Sequence, residues 1–131
     1  MTDFAIFATM QNPIIDRQEY EGTAFSAEEA SFVTQHIFEN LPGEARGISL
    51  LLSVGSKGSP RPSDFDAVLK SAFDYNDTVT TTVRVGLVGR MAELGMLGRE
   101  HAGVEVNYHL QKYGEDVLRR FSGHYLKSEA R

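Results

Sequence analysis

The amino-acid sequence predicts a mainly α-helical fold of the α+β class, in which several helices accompany one β-hairpin. Apolar residues recur at the three- and four-residue spacing of a helix face in several segments. The polar turn at residues 100–103 is followed by VEVNYHL, whose apolar residues alternate as in a half-buried strand. A length of 131 residues with 41% apolar and 24% charged residues fits one globular domain.

The first predicted helix begins at Ser26, after an N-terminal arm or strand at residues 4–10. Ser26 and Glu29 have the S-x-x-E spacing of a capping box, in which each side chain accepts a hydrogen bond from the backbone N–H of the other residue. Pro42 and Gly43 end this helix. The apolar residues at helical spacing along its one side are Phe32, Val33, Ile37, Phe38 and Leu41.

The next two apolar segments differ in how clearly they indicate a structure. Residues 45–56 form a buried helix or a buried strand, because almost every residue from Ile48 to Leu52 is apolar and no period is visible. The segment PSDFDAVLKSAFDYND (62–77) is predicted to contain a helix and its turn, since Pro62 suits a first helical turn. The predicted inward face of that helix consists of Phe65, Val68, Leu69 and Ala72.

Residues 77–97 contain two overlapping patterns. Val79, Thr81, Val83, Val85 and Leu87 alternate as in a strand, and valine and threonine favour strands. The second pattern places Val83, Leu87, Met91 and Leu94 on one helical face. Residue propensity thus favours a strand, whereas the segment that follows favours a helix, and both interpretations stay open at this point.

The C-terminal third indicates a hairpin followed by an amphipathic helix. Gly95 ends the preceding segment in a left-handed conformation, and Gly103 with His101 supplies the tight turn. The second strand is predicted to direct Val104, Val106, Tyr108 and Leu110 to the core and Glu105, Asn107 and His109 outward. In the final helix Gly123 is expected to destabilise the helix locally.

Two motifs in this region resemble the winged helix-turn-helix fold. LVGRMAELGMLGRE (87–100) is similar to the end of a recognition helix and the start of the wing, and YHLQKYGEDVLRR (108–120) to the exit from the wing. Both motifs are similar to those of MarR-, PadR- and ArsR-like repressors. The resemblance implies an arm and helix at 1–43, suited to dimerisation, a winged helix-turn-helix domain at 44–121, and a helix end and tail at 122–131.

What the resemblance implies is a homodimeric transcriptional regulator that reads a pseudo-palindromic site in double-stranded DNA. Its third helix would lie in the major groove and its wing would reach the backbone or the minor groove. The implied base-reading residues are Thr80, Thr81, Thr82, Arg84 and Arg90, the wing contacts are Arg99 and His101, and the phosphate contacts are Lys57 and Arg61. The alternative is a solvated start of a helix, with arginines that contribute only solubility.

Half-site symmetry in DNA calls for a dimer, and two amphipathic terminal helices could supply its interface. The residues expected there are Phe32, Ile37, Phe38, Val117, Phe121 and Tyr125. The alternative is that both helices pack on the core of their own chain.

The charge distribution supports a second hypothesis. The net charge is −5, and residues 1–43 carry one arginine against seven acidic residues. The segment expected to approach phosphates also contains four aspartates, Asp64, Asp66, Asp74 and Asp77. A winged-helix module for protein–protein interaction, in a partition, replication or defence complex, is the alternative function that these acidic residues favour.

Several other classes of protein receive no support from the sequence. Cysteine is absent, and the four histidines lack metal-ligand spacing, so neither a metal nor a cofactor is expected. No nucleophile elbow or phosphate loop occurs, and we therefore do not expect an enzyme. No apolar run is long enough to span a membrane and no targeting signal is recognisable, so a cytoplasmic protein is expected.

Overall fold

The computed structural model describes residues 25–130, which fold mainly into helices with one two-stranded antiparallel sheet, as the sequence predicts. The predicted arm at residues 4–10 lies outside the described residues. The helices are α1 (Ala27–Asn40), α2 (Pro42–Gly55), α3 (Pro62–Phe73), α4 (Asp77–Glu93), α5 (Lys112–Phe121) and α6 (Gly123–Ala130), and the strands are β1 (Leu97–Ala102) and β2 (Glu105–Leu110).

Helix α1 begins with the predicted capping box. The Glu29 N–H donates to Ser26 Oγ at 3.1 Å, and the Ser26 N–H donates to Glu29 Oε1 at 2.9 Å. Val33 and Ile37 are buried, but the side chain of Phe32 is 68% exposed, so its expected place on the same face is wrong. Neighbouring residues of a helix point about 100° apart, and Phe32 therefore faces away from the core that Val33 enters.

Helix α2 lies at the centre of the fold. It shows that the apolar segment 45–56, for which helix and strand were both open, is a helix up to Gly55. It contacts the other five described helices and strand β2. Ile48, Leu51 and Leu52 are fully buried and Leu50 nearly so, because neighbouring elements surround the helix. A helix covered on several sides needs no polar stripe, which explains why the sequence of this segment has no visible period.

Of the segment 77–97, residues 77–93 form helix α4 despite their valine and threonine content. Its N-cap Asn76 accepts a hydrogen bond from the Val79 N–H at 2.8 Å, and Thr80 Oγ1 donates to the Asn76 carbonyl at 2.7 Å. Leu87 and Met91 enter the core. Tertiary burial of this face outweighs the strand propensity, so the helical alternative is confirmed for this segment.

The hairpin pairs Leu97 with Leu110 at its base and Ala102 with Glu105 at its tip. Gly95 has a φ of 84°, which confirms the left-handed conformation predicted for it, and Gly103, with a φ of 71°, lies in the predicted turn. Val104 was expected in the core but is 97% exposed. It belongs to the two-residue turn and not to the strand, so the inward alternation begins only at Val106.

The C-terminal helix is interrupted at the predicted weak point, where α5 ends and α6 begins at Gly123. Ser122 is fully buried at this junction, and Ser49 Oγ of α2 donates to its hydroxyl at 2.9 Å. No helix among residues 25–130 is long and apolar enough to cross a membrane.

Candidate nucleic-acid interface

The residues that the sequence singles out for DNA contact lie on three connected parts of the fold. These are the loop between α2 and α3, helix α4, and the hairpin 97–110, which would be the wing of the expected winged helix-turn-helix domain and is given that name below. The loop and the wing are joined by a backbone hydrogen bond from the Tyr108 N–H to the Pro60 carbonyl, at 2.9 Å. The side chains of Arg61 and Glu105 add an ion pair at 3.8 Å. The start of α3 is therefore fixed against the wing.

Helix α3 is fixed to α4 on its other side by two ion pairs. Arg84 Nε donates to Asp66 Oδ1 at 2.7 Å, and both side chains are largely covered, with 17% and 30% exposure. Lys70 forms a short hydrogen-bonded pair with Asp77. This contact raises the pKa of the Lys70 ammonium and lowers that of the Asp77 carboxyl. Both shifts favour the charged forms, so the second pair stays ionised at neutral pH.

The threonines at the start of α4 divide between surface and core. Thr81 and Thr82 are exposed, as a base contact requires. Thr80 is only 2% exposed, so the expectation that it reads bases is wrong. Its position on the inward side of the helix follows from the packing of Leu87, seven residues further on the same face. Thr78 is exposed beside Thr81 and Thr82 and was missed in the sequence, where only the adjacent triplet stood out.

Arg84 and Arg90 do not extend from α4 into solvent as base readers would. Arg84 is held by Asp66, and Arg90 Nη1 donates to Glu44 Oε2 of α2 at 2.5 Å. The side chains of Arg90 and Glu44 are 22% and 23% exposed. Each guanidinium joins α4 to a neighbouring helix, so the expectation that Arg84 and Arg90 read bases is wrong. The partner carboxylates lie 18 and 46 residues away, beyond the reach of any local motif.

The cations of the loop and the wing are exposed, as predicted. Lys57 lies in the loop, and Arg99 and His101 lie on β1. Lys57 and Arg99 form no ion pair with another residue in the range 25–130. The Arg99 guanidinium carbon is 5.9 Å from the centre of the Tyr108 ring, a distance typical of a cation–π contact. Together with Arg61, these residues form the basic part of the surface.

The aspartates that argue against phosphate contact are largely engaged within the chain. Asp66 and Asp77 are paired with Arg84 and Lys70. Asp64 Oδ2 accepts a hydrogen bond from the Arg61 N–H at 2.8 Å, which caps the start of α3. The acidic residues of α3 therefore stabilise helix starts and helix contacts, and they repel a phosphate less than their number suggests.

The predicted dimer residues lie mostly inside the chain. Ile37 and Val117 are completely buried in the core of their own chain, so their expected role in an interface is wrong. Phe38 lies 5.2 Å from Phe121 and 5.8 Å from Tyr125, ring centre to ring centre, and these rings cover one another. The side chains pack inward because α5 and α6 close over α1 and α2. Phe32 alone of the six is mostly exposed.

Replacing Arg84 with methionine is expected to lower the free energy of unfolding by about 1 kcal/mol, because Asp66 then lies partly covered without its cation. In a double-mutant cycle with Asp66→Asn, urea denaturation should give a coupling energy of about 1 kcal/mol. The matched control is the exposed pair Arg119–Asp116, whose coupling should be below roughly 0.5 kcal/mol. Strictly additive losses at residues 66 and 84 would contradict the structural role of this pair.

No protein-family model matches the chain, and no curated protein matches it.

Proposed function

We propose that residues 44–121 form a winged helix-turn-helix domain and that the chain is a homodimeric regulator that binds double-stranded DNA. The observation that supports this best is the position of α3. Its start contacts the wing through Pro60 and Arg61, and its next turn contacts α4 through Asp66. Loop, wing and recognition helix thereby present their exposed polar residues on adjoining parts of the surface.

The connection between α3 and α4 supports the helix-turn-helix part of the proposal. Only residues 74–76 separate the two helices, and Asp74 adopts a left-handed conformation with a φ of 58°. A three- or four-residue turn of this kind is typical of DNA-binding helix pairs. In such pairs the second helix enters the major groove. That helix is α4 in this chain.

The exposed residues divide naturally into base-reading and phosphate-binding groups. Thr78, Thr81 and Thr82 present hydroxyl and methyl groups, which can hydrogen-bond to a base or contact a thymine methyl. The cations at the edge of this surface are suited to phosphates, and they are Lys57, Arg61 and Arg99, with His101 beside them. Few cations contact the DNA in this arrangement, so we expect a modest electrostatic contribution to binding.

Selection of bound duplexes from a random pool at near-physiological salt tests the proposal. A homodimer is expected to enrich two inverted half-sites about one helical turn apart. Enrichment of a single half-site would contradict the dimer, and an unenriched pool with no retained duplex would contradict DNA binding itself.

Replacing Arg99 with alanine is expected to weaken binding to the selected duplex about tenfold and nearly equally for all duplexes, because a phosphate contact carries no sequence information. In a dimer two such contacts disappear, so the slope of log K against log salt should become shallower by about 2. Fluorescence anisotropy titrations at several salt concentrations measure both quantities. Arg119→Ala, which removes another exposed arginine, on α5, is the control and should leave affinity and slope unchanged.

A winged-helix module for protein–protein interaction is the second candidate, favoured by the neutral surface of α4. Its two arginines are engaged with Asp66 and Glu44, while Val79 and Val85 are 39% and 57% exposed. Protein interfaces tolerate such apolar residues better than phosphates do. A stoichiometric protein partner that is lost on Val85→Asp, together with no retained duplex, would favour this candidate over DNA binding.

A further inference from the structure

A cleft of about 320 Å³ lies between the start of α2, the turn between α3 and α4, and the middle of α4. The proposed DNA contacts do not use it. Its volume is at the lower end of the range for small-molecule sites. The lining combines aromatic, aliphatic and glycine residues with a single ion pair.

The apolar part of the cleft suits a flat ring. Phe73 and Tyr75 are stacked with their ring centres 5.2 Å apart and their planes inclined by only 13°. Val83 and Leu87 of α4 complete the apolar lining. Aromatic side chains of this kind pair with further rings in offset stacks or edge to face. The Phe73 ring is already covered by Tyr75 and by the Arg46 guanidinium, whose carbon lies 4.7 Å from the ring centre, so an aromatic ligand can extend the stack at Tyr75.

Glycines keep the cleft open. A β-carbon at Gly43 or Gly86 would meet no atom of a neighbouring element within 4 Å, so the space beside both residues is empty. Gly47 differs, because a β-carbon there would lie 2.8 Å from Leu87 Cδ1. Close packing of α2 on α4 at Gly47 thus forms the floor, whereas Gly43 and Gly86 leave room for a ligand above it.

The ion pair at the edge of the cleft defines the polar group of the ligand. Arg90 Nη1 donates a hydrogen bond to Glu44 Oε2. The other N–H groups of Arg90 donate to no residue within the described part of the chain. A guanidinium has five N–H donors, so an acceptor such as a carbonyl oxygen can still bind. The adjacent Glu44 carboxylate offsets the positive charge, which favours a neutral ligand over an anion.

We propose that this cleft binds a small, neutral, planar aromatic molecule that carries a carbonyl acceptor. The ring packs on Tyr75 at the open end of the Phe73–Tyr75 stack, and the carbonyl oxygen accepts a hydrogen bond from Arg90. Such a ligand contacts both the turn before α4 and the middle of α4, so it holds the recognition helix in one position relative to α3. The consequence for DNA affinity rests on the proposed function, whereas binding to the cleft does not.

Quinolin-2-one, a bicyclic ring with one carbonyl group, is a suitable probe, and its binding can be followed through the backbone amide signals of the free chain. We expect saturable shifts at Gly43, Gly47 and Gly86 with a Kd of about 1 mM or below. Gly86→Leu fills the cleft and should weaken binding at least about tenfold. Gly89→Leu, on the same helix but outside the lining and with equal room for a side chain, should bind like the wild type.

Three results would overturn the inference. These are the absence of saturable shifts in the wild type, equal binding by Gly86→Leu, and equal binding of naphthalene, which has the ring system without the acceptor. Because the titration uses the free chain, its outcome does not depend on DNA. A chain that binds the probe but no duplex would leave the cleft assigned and contradict only the proposed function.

Discussion

Replacement of Gly114 with alanine is expected to lower the free energy of unfolding by about 3 kcal/mol, one of the largest effects of any single methyl group in this chain. A β-carbon at Gly114 would lie 2.2 Å from the Met96 carbonyl oxygen. That atom is backbone, and it is already held by a hydrogen bond from the Gln111 N–H at 2.9 Å. Neither α5 nor the start of β1 can move aside without breaking this contact.

Thermal unfolding followed by circular dichroism measures the effect of Gly114→Ala, and we expect the Tm to fall by roughly 10 °C or more. Gly89→Ala is the matched control within a helix. Its new methyl group meets no neighbouring element, so it should stabilise the chain by about 0.5 to 1 kcal/mol. Equal Tm changes in both variants would show that the close approach of α5 to Met96 is not a real constraint.

Phe65→Ala is expected to cost about 3 to 5 kcal/mol and to loosen the wing from the helices. Phe65 is fully buried, and its ring stacks on Tyr108 at 5.2 Å with the planes 20° apart. Tyr108 belongs to β2 and is also joined to Pro60 through its backbone N–H. Removal of the ring leaves a cavity at the junction between α3 and the hairpin.

Urea denaturation gives the energy of this change, and hydrogen exchange of the β1 and β2 amides reports on the wing. Both should respond to Phe65→Ala, with exchange in the hairpin accelerated more than in α2. Phe32→Ala, a phenylalanine that is mostly exposed, should change the stability by less than about 0.5 kcal/mol. A loss below about 1 kcal/mol for Phe65→Ala would contradict its role as the anchor of the wing.

The features that could be predicted from the sequence are those that depend on chemistry within a few residues. The capping box at Ser26 and Glu29, the left-handed conformation of Gly95 and the turn at Gly103 are of this kind. The conformation of Gly depends on its own missing β-carbon, and a cap depends on residues three apart. Such features need no knowledge of the rest of the fold.

The partners of the polar residues on α4 could not be predicted, because those partners lie far away in the sequence. The apolar face was predicted by the helical spacing of Val83, Leu87, Met91 and Leu94, and the last three of these residues are buried. Packing of this face against the core fixes the rotation of the helix about its axis. The same rotation buries Thr80 and directs Arg84 and Arg90 toward carboxylates of other helices. Three of the five expected base-reading residues, Thr80, Arg84 and Arg90, were therefore misplaced, and only Thr81 and Thr82 are exposed on the helix as expected.

The threonine- and valine-rich start of α4 also bears on what happens when the native state is lost. Residues 78–85, TVTTTVRV, combine high strand propensity with one charge and no proline. Such a composition is typical of segments that assemble edge to edge between chains. The Asn76 cap and the packing against α2 and α3 hold this segment helical. We therefore expect heated samples to aggregate through this segment, so that recovery after unfolding depends on protein concentration.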